Sequence, residues 1–402
     1  MNKKSFFKSA SLVLAGAASA AAFAGCGNQN YAKNNTAFFI GASGPLTGSA
    51  ATYGIAVQRG AELAVEEINA KNEDGLQFVF EIKDDKASPA DVPNNFAALY
   101  ESGMQFSLGC VTSGACLSFK GLAAEKNLFT LCPSATADDV TKDADTVFQM
   151  CFSDSNQGTV AAQQYFNTEA VPAGTKLGIL YCSNDAYSKG IYDNFMSSLD
   201  QEKFGEIVKT SFQNDASGNP PTDFNSQVQT LKDCTYFFMP IYYTPAARFM
   251  IAAENKVADD AVYFGCDGFD GIDTAVKGFD IHTVTQRVSM LSHFSATSSR
   301  QNVQAFVSAY KNKYDSVPIQ FAASAYDSVY AIYEGVKAAR AAGKEVTYTT
   351  AADELGKLMS ETFRSESFKF SGVTTADGDA TWSAGGTVNK RAEIVVIKEA
   401  NA

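Results

Sequence analysis

The chain has 402 residues, a length that predicts two domains rather than one small core. Hydrophobic residues make up 46% of it and charged residues 19%, which is the balance of a globular protein and excludes general disorder. The formal net charge is −12 and no long basic cluster interrupts it, so the composition argues against nucleic acid as a partner.

The first 25 residues have the pattern of an export signal. Three lysines lie among the first eight residues, and residues 10–24 form an Ala-rich apolar run that is too short for a stable spanning helix. The run ends in Phe-Ala-Gly-Cys26, and small residues before a cysteine resemble the lipobox of bacterial lipoproteins. We therefore expect a lipoprotein signal peptide at 1–25, lipid attachment at Cys26 and a polar tether at 26–35. The alternative is a plain export signal cleaved nearby.

Seven further cysteines follow Cys26, and most of them lie inside or at the ends of apolar runs. They are Cys110, Cys116, Cys132, Cys151, Cys182, Cys234 and Cys266. An odd number cannot all pair within one chain, so the sequence favours buried free thiols over a disulfide framework. No CxxC pair indicates a zinc site, and we expect neither a metal nor a cofactor.

Beyond the tether, strand-like and helix-like stretches alternate along the chain. The predicted strands are 37–42, 77–83, 106–109, 128–132, 147–151, 177–181, 207–212, 236–240, 261–265, 288–294, 368–374 and 393–398. The predicted helices are 53–70, 91–101, 115–126, 159–167, 192–199, 224–231, 245–255, 302–314, 322–341 and 352–363. Such alternation is typical of parallel sheets covered by helices on both faces, and two consecutive sets of it predict an α/β protein with two doubly wound lobes.

The order of these stretches also predicts how the chain divides. We expect a first lobe from residues 36–153 and 294–378, and a second lobe from residues 154–293 and 379–402. A chain that passes between its lobes several times forms a hinge, and hinged lobes close on ligands.

Two neighbouring loops in the first half combine short apolar strands with small hydroxyl residues. The strand at 106–109 leads to Thr112 and Ser113, and the strand at 128–132 leads to Ser134 and Thr136. Ligands of open α/β sheets bind at the carboxyl ends of strands, where hydroxyls and free N–H groups suit a small anion such as a carboxylate. Each loop taken alone is also typical of a helix cap or a turn.

The second half places polar and aromatic residues at strand ends in the same way. Tyr187, Tyr242, Tyr243 and Asp267 follow three predicted strands. A carboxylate such as that of Asp267, facing hydroxyl loops on the opposite lobe, suits an ammonium group. The alternatives are a capping role for Asp267 and plain packing for the tyrosines.

Catalytic arrangements are missing from the sequence. Neither His282 nor His293 lies beside a plausible nucleophile, and there is no G-x-S-x-G elbow. The loop at 43–48 lacks the lysine of a phosphate-binding loop, so it is better explained as a turn that brings Tyr53 to the cleft. A secreted hydrolase using Ser113 or Cys182 is the alternative from a different class.

Several motifs together resemble those of the branched-chain amino-acid (Leu/Ile/Val) binding proteins of ABC transporters, which have the type I periplasmic-binding-protein fold. The resemblance covers residues 36–398. Its motifs are Gly41-Ala-Ser-Gly-Pro-Leu-Thr-Gly48, Tyr53-Gly54, the segment 60–69, Asp84-Asp85, Pro133-Ser-Ala-Thr136, Asp185-Ala-Tyr187, Gly265-Cys-Asp-Gly268 and Tyr326-Asp327.

The resemblance implies a role for each site residue. Ser113 and Thr136 would hold the carboxylate of an amino acid and part of its ammonium, and the Ser134 carbonyl would accept an ammonium hydrogen. Tyr187 and Asp267 on the other lobe would complete the ammonium site. The side-chain pocket would be lined by Tyr53 and Tyr242, with Tyr243 an almost equal candidate.

The resemblance also implies a function and a location. We expect a lipid-anchored, monomeric, extracytoplasmic protein that delivers an aliphatic amino acid to the permease of an ABC importer and is not an enzyme. The alternative ligand is an aromatic acid, an amide or a urea-like molecule. Two departures from the family concern the ligand: Asp267 stands where Glu is common, and Cys110 and Cys116 lie near the pocket wall.

Overall fold

Two β-sheets, each covered by helices, form two lobes. The computed structural model describes residues 36–274, 276–375 and 378–400. The expected signal peptide, Cys26 and the tether lie outside the described residues.

The described strands and helices alternate as the sequence predicts. The strands are β1 (Phe38–Gly44), β2 (Phe78–Asp84), β3 (Phe106–Cys110), β4 (Phe129–Cys132), β5 (Val147–Gln149), β6 (Lys176–Cys182), β7 (Glu206–Phe212), β8 (Tyr236–Met239), β9 (Val262–Gly265), β10 (Arg287–Ser292) and β11 (Glu393–Lys398). The α-helices are α1 (Ala51–Lys71), α2 (Val92–Glu101), α3 (Ser113–Glu125), α4 (Asp154–Ala161), α5 (Ala186–Ser198), α6 (Asn225–Leu231), α7 (Tyr243–Ala253), α8 (Gln301–Tyr314), α9 (Gln320–Ala341) and α10 (Ala352–Phe363).

The first sheet has five parallel strands in the order β2-β1-β3-β4-β5. All seven residues of β1 are buried, as expected for a parallel strand with both faces covered. Helices from both ends of the chain cover this sheet, and α1 packs closely against α9. A Cβ on Gly60 would lie 2.0 Å from the Ala322 carbonyl oxygen, so glycine at this position allows the two helices to approach.

The second sheet has six strands in the order β11-β10-β9-β8-β6-β7. Five of them are parallel, and β11 pairs antiparallel with β10. The predicted α/β class with two doubly wound lobes is therefore confirmed, with one antiparallel edge strand that the alternation did not predict.

Three connections join the two sheets. The chain leaves the first sheet after β5, returns to it after β10 to form α8 to α10, and crosses again to reach β11. The lobes also meet away from these connections, because the Tyr53 hydroxyl of α1 donates to the Gly268 carbonyl and the Thr244 hydroxyl of α7 donates to the Ser49 carbonyl. The cleft between the lobes is therefore closed in this structure.

Two predicted helices begin earlier than the sequence pattern indicates. The helix predicted at 159–167 begins at Asp154, where the Ser153 hydroxyl accepts a hydrogen bond from the Asn156 N–H, and continues as a π-helical turn over Ala162–Phe166. The helix predicted at 192–199 begins at Ala186, because the Asp185 carboxylate caps it. The first turn of α4 is polar, which apolar periodicity does not detect, whereas in α5 the buried Tyr187, Ile191 and Phe195 have helical spacing, so its earlier start was readable from the sequence.

The strand predicted at 368–374 is wrong. This segment makes a single bridge, between Phe370 and Ala380, and is otherwise irregular. The N–H groups of Val373 and Thr374 donate to the two oxygens of the Asp327 carboxylate, at 2.9 and 2.8 Å, instead of to a neighbouring strand. The buried carboxylate of Asp327 on α9 therefore accepts the hydrogen bonds that the carbonyl groups of a neighbouring strand would otherwise accept.

The seven cysteines within the described residues are all free and buried, so the predicted buried thiols are confirmed. In the part of the chain that the structure describes, no helix is both long enough and apolar enough to cross a membrane.

Candidate ligand-binding site

The two hydroxyl loops of the first lobe are tied to each other. The Ala137 N–H donates to the Ser113 Oγ at 3.2 Å, and the Ser134 Oγ donates to the Val111 carbonyl at 2.8 Å. Ser113 is the first residue of α3, whose N-terminal N–H groups favour an anion. Thr136 is fully buried, and its hydroxyl has no hydrogen-bond partner among the described residues.

Asp154, which the sequence analysis did not identify, lies beside Thr136. The Asp154 N–H donates to the Thr136 carbonyl at 2.8 Å, and the Asp154 side chain is fully buried. Neither of its carboxylate oxygens has a hydrogen-bond partner of good geometry among the described residues. Burial raises the pKa of this carboxyl well above its usual value; the nearby Thr136 hydroxyl opposes this rise, and the charge of Asp267 adds to it.

A glycine leaves space for this carboxylate. A Cβ on Gly190 of α5 would lie 2.8 Å from the Asp154 Oδ2. On α4, Asp154 and Gln157 are three residues apart and so lie on one face of the helix. The Gln157 Oε1 accepts a hydrogen bond of 3.0 Å from the Asp267 N–H, which places Asp267 beside this face.

Asp267 follows β9 and is 2% exposed. Its Oδ1 has no partner among the described residues, whereas its carbonyl accepts a hydrogen bond from the Gln320 Nε2 at 3.3 Å. Burial raises the pKa of the Asp267 carboxyl to about 7, although contacts with the Tyr187 hydroxyl and with Gln157 lower it. The Tyr187 hydroxyl also accepts a hydrogen bond from the Gly268 N–H at 2.9 Å.

Tyr53 connects the first lobe to the second. Its hydroxyl donates to the Gly268 carbonyl at 2.5 Å and accepts from the Tyr243 N–H at 3.2 Å. The loop before it is held by Asp84, which accepts from the Leu46 N–H at 2.9 Å. A Cβ on Gly54 would lie 1.9 Å from the Pro45 carbonyl oxygen, so the Tyr53-Gly54 pair allows α1 to begin close to this loop.

Tyr242 and Tyr243 have different surroundings. Tyr242 is half-buried, stacks on Tyr187 with ring centroids 4.8 Å apart and meets Tyr53 edge-on at 5.4 Å. Tyr243 is 3% exposed, and its hydroxyl accepts a hydrogen bond from the Thr52 N–H at 3.1 Å. Tyr243 therefore joins the lobes, whereas Tyr242 faces a small cavity.

That cavity lies between the lobes and has a volume of about 20 Å³, enough for about one water molecule. Its walls come from both lobes and include Ala50, Ala87, Cys182, Ile241 and Tyr242. The buried carboxyl groups of Asp154 and Asp267 lie outside its walls. The site therefore has a polar part and a separate, mainly apolar part.

Thirteen buried polar side-chain atoms of the described residues have no hydrogen-bond partner, and seven of them belong to residues of the hydroxyl loops or of the Asp154–Asp267 region. These seven are Thr112 Oγ1, Thr136 Oγ1, both carboxylate oxygens of Asp154, Gln157 Nε2, Asp267 Oδ1 and Gln320 Oε1. Leaving such groups unpaired costs about 1–3 kcal/mol each, so an arrangement of this kind is expected where a polar ligand completes the bonds. Two of these groups are carboxyls, whose charged form would suit a cation.

All seven predicted site residues lie beyond the ends of strands or on the helices that begin there. They are Tyr53, Ser113, Ser134, Thr136, Tyr187, Tyr242 and Asp267. Sequence reasoning missed Asp154, Gln157 and Gln320. The signal for the first two was present, because Ser153 followed by Asp154 is a typical helix start and the i, i+3 spacing puts Gln157 on the same face.

Comparisons with known proteins agree with this arrangement. The profile of the periplasmic binding protein family matches residues 37–399. The Leu/Ile/Val-binding protein BraC3 of Rhizobium johnstonii is 29% identical over 322 residues, which are 78% of this chain and 82% of that protein. The leucine-, isoleucine-, valine-, threonine- and alanine-binding protein of Pseudomonas aeruginosa is 26% identical over 330 residues, which are 81% of this chain and 84% of that protein.

Solved structures show the same fold. The branched-chain amino acid transporter substrate-binding protein LivJ of Streptococcus pneumoniae, in complex with isoleucine, is 28% identical with a TM-score of 0.74, covering 90% of this chain and 98% of that one. A solute-binding protein of R. palustris in complex with benzoate has a TM-score of 0.72 at 20% identity, covering 90% of this chain and 93% of that one. The chain therefore belongs to the periplasmic binding protein family, and its resemblance to the branched-chain amino-acid binding proteins of ABC transporters is confirmed.

Proposed function

We propose that this chain captures an aliphatic, branched-chain L-amino acid outside the cytoplasm and delivers it to an ABC importer. The observation that carries the proposal is the pair of buried carboxylates, Asp154 and Asp267, next to the unpartnered hydroxyl of Thr136: both oxygens of Asp154 and the Oδ1 of Asp267 lack a hydrogen-bond partner among the described residues. An α-ammonium group would supply both the missing charge and the missing hydrogen bonds. Hydrogen bonds to charged groups contribute about 1.5–3 kcal/mol each.

The carboxylate of the amino acid would bind at the first lobe. Ser113 begins α3 and Thr136 follows β4, so their hydroxyls and the helix N-terminus converge on one end of the first sheet. The Ser134 carbonyl would take one ammonium hydrogen, and Asp154, Asp267 and the Tyr187 hydroxyl would surround the others.

The aliphatic side chain would lie toward Tyr53 and Tyr242. The cavity beside Tyr242 holds about one water molecule when the lobes are closed. It would therefore have to widen, by movement of the residues that line it, to accommodate a branched side chain. Ligand entry also requires the lobes to part, because the Tyr53 hydroxyl bonds the Gly268 carbonyl across the cleft. Groups on both lobes would then bind the same ligand, which favours the closed state.

The proposal includes a location and a division of the chain. Lipid attachment at Cys26, with 26–35 as tether, would keep the monomer beside the permease. The lobes would consist of residues 36–153 with 294–378, and 154–293 with 379–402. The three connections between the sheets would act as the hinge.

An aromatic acid is the competing ligand, since a structural neighbour was solved with benzoate and tyrosines line this cleft. An aromatic acid without an ammonium would place its carboxylate near Asp154 and Asp267 with no cation between them, which Coulomb repulsion opposes. The amino acid is therefore favoured by the two carboxylates.

We propose no catalysis for the same site. Burial raises the pKa of the Cys182 thiol to about 11, which disfavours the thiolate that a nucleophile needs. The Nε2 of His293 shares a hydrogen bond of 2.5 Å with the Ser324 hydroxyl, so this ring nitrogen is not available to Ser113 as a base.

The test is calorimetric and thermal titration of the full chain with each amino acid and with benzoate. Leu, Ile or Val at 100 times its dissociation constant should add about 2.7 kcal/mol of stability. Asp154→Asn and Asp267→Asn should each weaken binding at least tenfold, whereas Asp74→Asn, far from the cleft, should not. Stabilisation by benzoate and by no amino acid would overturn the proposal, as would amino-acid binding unchanged in both Asp variants.

A further inference from the structure

Two buried thiols touch each other directly behind the hydroxyl loops. The Sγ atoms of Cys116 and Cys132 lie 3.3 Å apart, and both side chains are fully buried. Cys116 lies in the first turn of α3, three residues after Ser113. Cys132 ends β4, two residues before Ser134. The contact therefore joins the two segments that carry the hydroxyl loops.

The backbone around the pair leaves space for both sulfurs. Gly109 has a φ of +64°, and a Cβ there would lie 2.8 Å from the Cys132 Sγ and 3.5 Å from the Cys116 Sγ. Cys110 is a third thiol close to Cys116. Burial raises the pKa of the Cys110 thiol well above its usual value, and the charge of Cys116 adds to this rise. A metal does not account for the cluster, because the described residues contain no group of three or more His, Cys, Asp or Glu side chains arranged to hold one.

We propose that Cys116 and Cys132 are an oxidisable pair that closes to a disulfide and cross-links the two ligand loops. Of the seven cysteines in the described residues, these two have their sulfurs in contact. A disulfide between them would leave the other five as free, buried thiols. The inference concerns the covalent state of the loops and does not depend on which ligand binds.

The oxidant is a small-molecule disulfide, and the step is thiol–disulfide exchange. One cysteine thiolate attacks a sulfur of the reagent, which releases one small thiol and leaves a mixed disulfide. The second cysteine then attacks the protein sulfur of that mixed disulfide and releases the other small thiol. The two cysteine sulfurs are oxidised, the reagent is reduced, and the two cysteine protons end on the two small thiols.

Burial determines when this can happen. The contact with Cys116, followed by burial, raises the pKa of the Cys132 thiol well above its usual value. The thiolate is therefore scarce in the folded protein, and both sulfurs are out of reach of the reagent. The cross-link should form quickly while the chain folds and slowly once it has folded.

Tryptic peptide mapping tests the proposal. The full chain is refolded with a mixture of reduced and oxidised glutathione, or with reductant alone, and free thiols are then alkylated under denaturing conditions. Trypsin places Cys110 and Cys116 on the fragment 87–120, and Cys132 alone on 127–142. The oxidised sample should contain these two fragments linked, and fragmentation of the linked pair should leave Cys110 alkylated.

Matched variants assign the bond. Cys110→Ala should keep the link, whereas Cys116→Ala and Cys132→Ala should lose it. The oxidised wild type should also unfold several degrees higher than the reduced form, because the cross-link restricts the unfolded chain, and Cys116→Ala should show no such difference. A wild type without the link, or a link through Cys110, would overturn the proposal, and the wild-type map decides this even where a variant fails to fold.

Discussion

The Tyr53 hydroxyl donates a hydrogen bond of 2.5 Å to the Gly268 carbonyl, 215 residues further along the chain. The same hydroxyl accepts from the Tyr243 N–H at 3.2 Å, so one side chain of the first lobe holds two backbone groups of the second. Gly268 directly follows Asp267, and its N–H donates to the Tyr187 hydroxyl. Closure of the lobes is thus coupled to the position of the proposed ammonium ligands.

Tyr53→Phe should weaken ligand binding by loosening this closure. Two buried backbone groups lose their partner, which corresponds to about 1–2 kcal/mol, or roughly 5- to 30-fold in affinity. Calorimetry measures the affinity, and small-angle scattering should show a larger radius of gyration without ligand. Tyr333→Phe removes a hydroxyl that bonds Asp74 away from the cleft and should change neither quantity. Equal affinities for Tyr53→Phe and wild type would contradict the coupling.

Amino-acid affinity should fall as the pH is lowered. The pKa of the Asp267 carboxyl is about 7 without ligand, because burial disfavours its charged form. An ammonium ligand requires the charged form, so below pH 7 the site must release a proton to bind. Affinity should decrease by up to about tenfold per pH unit for each proton released. Calorimetry near neutral pH in buffers of different ionisation enthalpy should detect that release, and a heat independent of the buffer would contradict the prediction.

Asp267→Asn should stabilise the ligand-free protein at high pH. A carboxyl with a raised pKa binds its proton more tightly in the folded state than in the unfolded state. Its contribution to the free energy of unfolding is therefore fully present below the unfolded pKa of about 3.9, and it is lost as the pH rises through about 7. Replacing Asp267 with a neutral isostere should therefore add about 1–3 kcal/mol at pH 8 and almost nothing at pH 4.

Denaturant unfolding at the two pH values measures this difference. The exposed Asp74 is the control: its pKa is lowered, chiefly by the hydrogen bond from Tyr333, so Asp74→Asn should show no gain that grows with pH. A gain for Asp267→Asn that is the same at both pH values would show that the buried charge is not its cause. If Asp267→Asn is more stable than wild type at pH 8 but no longer binds ligand, the Asp267 carboxylate lowers the stability of the folded protein and is needed for ligand binding.

Gly60→Ala should destabilise the first lobe because α1 and α9 are in close contact. The new Cβ would lie 2.0 Å from the Ala322 carbonyl oxygen, and overpacking of this kind costs about 1–3 kcal/mol or more. Gly121 is the matched control, since it is exposed in α3 and a Cβ there would contact nothing within 4 Å. Gly121→Ala should add about 0.5–1 kcal/mol. Thermal unfolding of both variants in parallel should show shifts of opposite sign.

Local pattern was sufficient for most of the fold. Apolar runs such as β1 and periodic helices such as α9 depend on residues adjacent in the chain, so their positions follow from the sequence. The same reasoning placed Ser113, Thr136 and Asp267 beyond strand ends. It missed the starts of α4 and α5: the polar first turn of α4 carries no apolar periodicity, whereas the helical spacing of Tyr187, Ile191 and Phe195 in α5 was present in the sequence and was not used.

The sequence by itself determined the two-lobed α/β class, the alternating elements and the polar strand ends, because each depends on short-range hydrophobic spacing and turn chemistry. Only the tertiary structure decided which groups meet across long separations. Gln157 bonds Asp267, 110 residues further along the chain, and so places Asp154 near it. Asp327 accepts from the N–H groups of Val373 and Thr374, which a strand at 368–374 would have used. It also decided that Cys132 contacts Cys116 and that β11 runs antiparallel. Such contacts depend on how the sheets and helices pack together, which no local pattern records.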